Sequence, residues 1–179
     1  MARVSSDRNP QPLDRATIER LAITYVGRYA TTRAKLATYL ARKVREREWV
    51  EAEPPTTAIE AIVARCAALG YVDDRAFAEA RAASLTRRGY GARRVADALR
   101  AAGIDEADSA PARDDASAAA WDAALAFARR RRIGPFAQGA ADPDRRRRAF
   151  AAMMRAGHSP SIARRILDAP PGELPDCGT

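Results

Sequence analysis

Apolar residues recur along this chain at intervals of three and four, which is the period of an amphipathic helix. No stretch alternates between apolar and polar residues for long enough to indicate a strand. Alanine supplies much of the apolar content, and because alanine favours helices but buries little area, we expect all-helical structure with thin cores. The predicted helices span 14–29, 32–48, 56–69, 74–88, 92–102, 114–132, 144–156 and 160–168.

Four glycines mark the ends of predicted helices. Each stands just past a periodic segment, where a left-handed backbone conformation, which glycine adopts readily, closes a helix. The residue after each glycine is expected to pack back on the helix that has just ended. The glycines are Gly70, Gly89, Gly103 and Gly157, and the residues that follow them are Tyr71, Tyr90, Ile104 and His158.

One arrangement of a helix cap and apolar residues occurs three times. A cap residue is followed by apolar residues four and eight places on, and each copy comes after an earlier amphipathic helix. This recurrence predicts a tandem array of helix–turn–helix units, in which each unit is stabilised by packing on its neighbours. The copies are Thr32 with Leu36 and Leu40, Gly91 with Val95 and Leu99, and Ser159 with Ala163 and Leu167.

Composition suggests how the chain is divided. Both end segments are polar or proline-rich and are predicted to be loose, and an acidic break at 103–115 and a longer loop at 133–144 interrupt the helices. The predicted divisions are a disordered tail over 1–13, helical repeats over 14–70, 71–112 and 113–168, and a tail over 169–179. The residues expected in the cores are Phe77, Leu85, Val95, Leu99, Phe150, Ile166 and Leu167.

The formal net charge of +8 is distributed unevenly. Residues 129–165 hold eleven arginines and two aspartates, whereas residues 105–128 hold one cation and six acids. A GC-rich coding bias would enrich both arginine and alanine, but it does not explain this clustering. Four consecutive arginines on a helix cannot share one face, because successive side chains are rotated by about 100°. Some of the side chains in each run therefore point to solvent or to a partner.

The two runs, 129–132 and 145–148, are expected to meet a counter-charge. Nucleic-acid phosphate, an acidic protein surface and the chain's own 105–122 segment are the three candidates, and a solvated basic face is the alternative. The pairs 87–88 and 93–94 flank the turn that contains Gly89 and Gly91. These pairs either extend the basic stripe or cover apolar surface with their aliphatic stems.

The residues do not indicate an enzyme. His158, the single histidine, stands in a turn, and nothing orients a nucleophile pair between it and Cys66, which is expected to be packed inside a helix. Asp73 and Asp74 suggest a metal or acid–base site, but carboxylates at a helix start also cap it and favour its dipole. The structural interpretation of this pair is preferred, and neither a metal nor a cofactor is expected.

Membrane and export signals are also missing from the sequence. The longest apolar run is far shorter than a membrane span, and the start has no charged-then-apolar signal segment. We therefore expect a cytoplasmic protein.

The stretch of residues 69–104 begins LGYVDDRAFAEA and ends RRGYGARRVADALRAAGI. It resembles the central repeat of the RecX family of RecA regulatory proteins. RAFAAMMRAGHSPSIARRIL is similar to the last repeat of that family and YVGRYATTRAKLATYLARK to the first, so the resemblance covers roughly residues 15–168. The structural positions of the central motif are Asp73, Asp74, Phe77, Gly89, Gly91, Leu99 and Gly103.

The resemblance implies an all-α, elongated and curved tandem array of three three-helix repeats that lies in the groove of a RecA filament on DNA. It implies a non-enzymatic regulator that modulates, most often by inhibition, ATP hydrolysis, strand exchange and filament growth in DNA repair, homologous recombination and the SOS response. We expect a monomer that contacts single- or double-stranded DNA weakly. The candidate contact residues are Arg87, Arg88, Arg93, Arg94, Arg129, Arg130, Arg131, Arg132, Arg145, Arg146, Arg147 and Arg148.

Two residues depart from the family pattern. Gly91 stands where a serine or proline cap is common, and His158 stands where an aromatic residue is usual.

Two interpretations of the function other than a regulator of RecA remain. The first alternative is a sequence-specific helix–turn–helix repressor with helix 92–102 or 160–168 in the major groove. Helix 92–102 has no Asn or Gln to recognise base edges, which disfavours it. The second is a structural adaptor for an acidic protein.

Overall fold

A computed structural model describes residues 12–139 and 142–176 of the chain. Within these ranges the protein is helical throughout, with one isolated parallel bridge between Leu13 and Trp49 and no strand, which confirms the predicted all-α class. No helix in this part of the chain is long and apolar enough to span a bilayer. The helices are α1 (Arg15–Val26), α2 (Arg33–Arg45), α3 (Pro55–Ala68), α4 (Asp74–Arg87), α5 (Ala92–Ala101), α6 (Glu106–Ala118), α7 (Ala120–Arg131), α8 (Pro143–Arg155) and α9 (Pro160–Asp168), with a 3-10 turn at Gly134–Phe136.

The helices form three groups of three, each around its own apolar core. Helices α1 to α3 enclose the first core, α4 to α6 the second, and α7 to α9 with the 3-10 turn the third. The chain divides into two compact units, the first ending at Asp74 and the second beginning at Arg75. The second unit therefore contains two of the three cores. The boundary expected at residue 112 lies inside α6, because Ala112 and Ala116 on that helix belong to the second core.

Leu13 corrects the predicted extent of the first tail. Its side chain is fully buried in the first core. Its backbone N–H donates to the Glu48 carbonyl over 2.7 Å, and its carbonyl accepts from the Val50 N–H over 3.2 Å. A single apolar residue in a polar segment has no periodicity, so nothing in the sequence indicated its burial in the first core. The rest of the predicted tail, residues 1–11, lies outside the described residues.

All four predicted helix-ending glycines have a left-handed backbone, with φ between 72° and 90°. In every case the N–H of the next residue donates to the carbonyl five residues before it, at 2.9 to 3.3 Å. Ile104 and His158 are buried and Tyr90 is half-buried, as the packing prediction requires. The prediction is wrong for Tyr71, which is 56% exposed, because Val72 beside it enters the first core instead.

Arg132 ends α7 in the same way without being glycine. Its φ is 52°, and it is the one non-glycine residue with a positive φ among the described residues. The Arg132 N–H donates to the Arg129 carbonyl over 3.2 Å and the Ile133 N–H to the Ala128 carbonyl over 3.1 Å. A left-handed conformation costs an L residue about 1–2 kcal/mol. Packing of Ile133 on the third core helps to offset that cost.

The acidic segment 103–115 is not the break that its composition suggested. Most of it forms α6, and the Asp105 side chain caps this helix by accepting from the Asp108 N–H over 2.8 Å. Acidic residues in the first turn interact favourably with the helix dipole. Pro111 inside the helix removes one backbone donor, but the helix continues through it. The single helix predicted over 114–132 is likewise two helices, because α6 ends at Ala118 and α7 starts at Ala120.

The predicted core residues divide into buried and bordering positions. Leu85, Val95, Leu99 and Ile166 are buried, which confirms them. The other three are half-buried and pack on the edges of their cores. In the third copy of the repeat, Ile166 is fully buried, whereas its neighbour Leu167 packs on the edge of the third core. The three bordering residues are Phe77, Phe150 and Leu167.

The turns that precede α5 and α9 are in backbone contact inside the second unit. The Gly91 N–H donates to the Ala156 carbonyl over 2.9 Å, and the Arg93 N–H donates to the Gly157 carbonyl over 3.3 Å. A Cβ at Gly91 would lie 2.6 Å from the His158 backbone nitrogen. The departure from the family's usual serine or proline at Gly91 therefore has a tertiary cause, since backbone occupies the space of a side chain.

Candidate functional site

The two arginine runs lie at the end of α7 and in the first half of α8. Arg129 to Arg131 occupy the last turn of α7, where the helix dipole favours positive charge. Arg145 to Arg148 follow the cap of α8, in which the Asp142 side chain accepts from the Arg145 N–H over 2.8 Å. Every arginine in both runs is exposed.

A pocket of about 370 Å³ in the second unit gathers arginines from three parts of the sequence. Arg88 lies in the turn after α4, two more arginines come from α7, and one comes from α8. The apolar part of the wall consists of two aromatic rings and two alanines. The lining residues are Arg88, Tyr90, Phe127, Arg130, Arg131, Ala152, Arg155 and Ala156.

A second pocket, of about 280 Å³, adjoins the first and shares Arg131 and Ala152 with it. Arg145 and Arg148 line its other side. Among the described residues, no acidic side chain lines either pocket. We call the combined feature the arginine groove, and its arginines are Arg88, Arg130, Arg131, Arg145, Arg148 and Arg155.

Aromatic rings help to hold the arginines of the groove in place. The Arg88 guanidinium carbon lies 5.6 Å from the ring centroid of Tyr90. Those of Arg130 and Arg131 lie 6.0 and 5.7 Å from the ring of Phe127, which is itself buried. Guanidinium groups at these distances are attracted to the ring face while their N–H donors remain available. The groove therefore presents guanidinium donors in pockets whose lining includes no carboxylate among the described residues, which is suited to an anionic ligand.

The structure places seven of the twelve predicted contact residues outside the groove. In the second run, Arg146 donates to the Leu167 carbonyl over 2.6 Å and pairs with Asp168, and Arg147 pairs with Asp144 over 3.2 Å. Among the described residues, therefore, neither arginine run forms an ion pair with the acidic segment 105–122. Arg93 donates to the Met154 carbonyl over 2.5 Å. The remaining predicted residues outside the groove are Arg87, Arg94, Arg129 and Arg132.

Arg155 belongs to the groove and was missed by the sequence analysis. It stands alone in the sequence, so no run of arginines drew attention to it. Helical periodicity was the available signal, because positions 145, 148, 152 and 155 of α8 fall on one face. Residues from that face line one pocket or both.

The Asp73–Asp74 pair belongs to the first unit's framework. Asp74 is the first residue of α4, and its side chain is 2% exposed. It accepts from the Arg33 backbone N–H over 2.9 Å and from the Arg33 Nε over 3.1 Å, a contact that lies within the first unit. Among the described residues no three acidic, cysteine or histidine side chains are grouped as a metal ion would require. Cys66 is buried, which raises the pKa of its thiol, and Cys177 lies outside the described residues.

His158 takes the place of the family's usual aromatic residue and packs like one. It is 3% exposed, its ring meets the Phe127 ring edge-to-face at 5.3 Å, and neither ring nitrogen has a hydrogen-bond partner among the described residues. Burial lowers the pKa of His158 below its ordinary value of 6.5, and the Gly89 backbone offsets part of that effect.

Acidification is therefore expected to destabilise the fold through His158. The unfolded chain takes up a proton as the pH falls through 6.5, whereas the buried imidazole remains neutral until a lower pH. The free energy of unfolding therefore decreases as the pH falls from 6.5 towards the pKa of His158 in the folded protein, by at most about 1.4 kcal/mol per pH unit. Urea unfolding at about pH 7.5 and at about pH 5.5 measures the loss.

The variant His158→Phe is the control, because it keeps the aromatic packing and every carboxylate but removes the titrating group. Its free energy of unfolding is expected to change less over the same pH interval. If both proteins lose the same stability, carboxylates alone cause the pH dependence.

These features define a class: an all-helical protein of three-helix repeats with a strongly basic groove. Residues 73–110 match the protein-family model described as RecX, second three-helix domain. The chain is 32% identical over 170 residues to the regulatory protein RecX of Myxococcus xanthus (strain DK1622), which covers 92% of this chain and 91% of that protein. The chain therefore belongs to the RecX family of regulatory proteins, as its sequence motifs predicted.

Solved structures agree in fold. A crystal structure of RecX from Lactobacillus salivarius superposes with a TM-score of 0.60 at 16% identity, over 86% of this chain and 94% of that one. A crystal structure of regulatory protein RecX superposes with a TM-score of 0.61 at 21% identity, over 86% and 71% of the two chains. At these identities the likeness supports the helical-repeat fold and nothing further.

Proposed function

We propose that this protein regulates a RecA recombinase filament on DNA without a catalytic site of its own. It acts in the cytoplasm and lowers the rate of ATP hydrolysis, strand exchange and filament growth. Membership of the RecX family supports the regulatory role. The single observation that carries the mode of action is the arginine groove, in which six exposed arginines line two adjoining pockets without a carboxylate.

Arginine suits such a contact for a geometric reason. Its planar guanidinium presents paired N–H donors that match a carboxylate or a phosphate, and charge-assisted bonds of this kind are about twice as strong as neutral ones. In this proposal the groove binds acidic side chains of the recombinase, with DNA phosphates as a second target. The same proposal includes the division of the chain into three helical repeats and a monomeric state.

The exposed polar residues of α5 favour this proposal over a sequence-specific repressor. Arg100 pairs with Asp97 on the same helix over 3.0 Å, and Arg93 is bound to the Met154 carbonyl. Side chains engaged in this way are not positioned to recognise base edges. The arginine groove, moreover, is built mainly from α7 and α8 and not from a recognition helix.

The proposal is tested by titrating the protein into a cognate RecA filament, at less than one copy per recombinase monomer. We expect the single-stranded-DNA-dependent ATPase rate to fall clearly over this range, because a contact along the filament affects neighbouring subunits. Sedimentation or electron microscopy of the same samples verifies that filaments are present at the start. An unchanged rate on intact filaments would leave only the shared fold and would reopen the search for a DNA operator.

A further inference from the structure

Three of the five tyrosines in the chain converge on one pocket of the first unit. Tyr25 lies near the end of α1, Tyr29 in the turn that follows, and Tyr39 on α2. The rings of Tyr25 and Tyr39 are stacked, with centroids 4.2 Å apart and planes 17° apart, and the ring of Tyr29 lies 5.3 Å from that of Tyr25. We call these three residues the tyrosine cluster.

Burial explains only part of this cluster. Tyr25 and Tyr39 are half-buried against the first core, but Tyr29 is 58% exposed. The adjoining pocket has a volume of about 420 Å³ and is lined by Thr24 as well as by the cluster and three cations. That volume falls within the roughly 300–1,000 Å³ that is usual for ligand pockets. An exposed ring beside a stacked pair leaves an aromatic face open to a planar ligand.

The three cations of the pocket give it a positive charge. Arg28 follows α1, and Arg42 and Lys43 lie on α2 at 5.7 and 6.0 Å from the Tyr39 ring centroid. One carboxylate is close to them: Glu46 accepts from Lys43 over 2.7 Å and lies 3.7 Å from Arg42. Arg28 makes no ion pair among the described residues. Positive charge therefore exceeds negative charge at the rim of the pocket.

We propose that the tyrosine cluster binds single-stranded nucleic acid. An unpaired base stacks on the open face of Tyr29, and Arg28 and Arg42 contact the flanking phosphates. Aromatic rings alternating with cations are what sequence-tolerant recognition of single strands requires, because every base has a π-face and every nucleotide a phosphate. This site builds on the proposed action at a DNA filament, but it lies in the first unit, is separate from the arginine groove and needs no recombinase.

The test measures binding of the full-length protein to a fluorescein-labelled oligothymidylate by anisotropy, in the absence of recombinase. Tyr29→Ala is expected to weaken binding about tenfold, since one lost stacking contact has an effect of that order, while Tyr29→Phe retains most of the affinity. Tyr71→Ala is the matched control, because Tyr71 is 56% exposed in the same unit and does not line the pocket. Glu46→Gln is expected to tighten binding, most clearly at low salt.

An abasic oligomer of the same length separates stacking from charge. We expect the wild-type protein to bind it more weakly than oligothymidylate, and Tyr29→Ala to bind the two alike. Equal affinity of Tyr29→Ala and Tyr71→Ala for oligothymidylate would overturn the proposal. So would a loss of ATPase inhibition in Tyr29→Ala with unchanged oligonucleotide binding, which would assign the cluster to a protein contact. Conversely, intact oligonucleotide binding by a protein that does not inhibit the ATPase would contradict the proposed function alone.

Discussion

The double variant Arg145→Glu/Arg148→Glu is expected to lose inhibition of the recombinase ATPase. Both side chains line the arginine groove, and reversing their charge replaces two donors with two anions that repel carboxylates and phosphates. The concentration needed for half-maximal inhibition should rise at least about tenfold, since each charge-assisted bond contributes roughly 1.5–3 kcal/mol. Helix content, measured by circular dichroism, should remain unchanged.

The structure also supplies the matched control. Arg146 is left in place, because it joins α8 to α9 through Leu167 and Asp168 and its loss would confuse binding with stability. The double variant Arg100→Glu/Arg147→Glu makes the same change in net charge at two exposed positions outside the groove. It should inhibit nearly as well as the wild-type protein. Equal loss in both variants would mean that overall charge, and not the groove, drives the contact.

Gly91→Ser is expected to lower the free energy of unfolding by about 1–3 kcal/mol, although serine is the better helix cap. Gly91 has an ordinary φ of −77°, so serine causes no backbone strain there. The loss arises because the new side chain meets the Gly157 and His158 backbone, which cannot move without breaking the contact between the two turns. Urea unfolding of both proteins measures the difference.

Gly139→Ser serves as the control for this substitution. A Cβ at Gly139 has nothing within 4 Å, so the variant should differ from the wild-type protein by less than about 0.5 kcal/mol. Helix capping by serine predicts a higher free energy of unfolding for Gly91→Ser, whereas the contact between the two turns predicts a lower one. The sign of the measured change therefore distinguishes the two effects. A stabilised Gly91→Ser protein would show that the turns separate easily and that the hydrogen bonds between them join the second and third cores only loosely.

Local features of this protein could be predicted from the sequence. Helix ends at Gly70, Gly89, Gly103 and Gly157 depend on φ, a property of single residues, and all four have the expected left-handed backbone. The recurrent spacing of apolar residues likewise identified Val95 and Leu99 as buried, because a helix places positions four apart on one face. The family motif in residues 69–104 consists of these same local signals.

Segments with conflicting local signals were predicted less well. Acidic residues made the segment 103–115 resemble a break, yet a cap at Asp105 and burial of Ala112 and Ala116 make it helical despite Pro111. The gain from packing on the second core exceeds the cost of one missing backbone hydrogen bond. Leu13 was misplaced for a related reason, since its partners are more than thirty residues away in sequence.

The candidate sites show most clearly what could not be predicted from the sequence. Runs of arginine were visible in the sequence, but which of them face a common groove depends on how α7, α8 and the turn after α4 pack, and the only local signal for Arg155 is the helical periodicity of α8. The convergence of Tyr25, Tyr29 and Tyr39 likewise depends on the contact between α1 and α2. The sequence by itself determined most of the helices, the helix ends marked by glycine, the repeat and the family, because these follow from short-range backbone preferences and periodicity. The tertiary structure alone decided which side chains share a pocket, because only packing brings distant residues together.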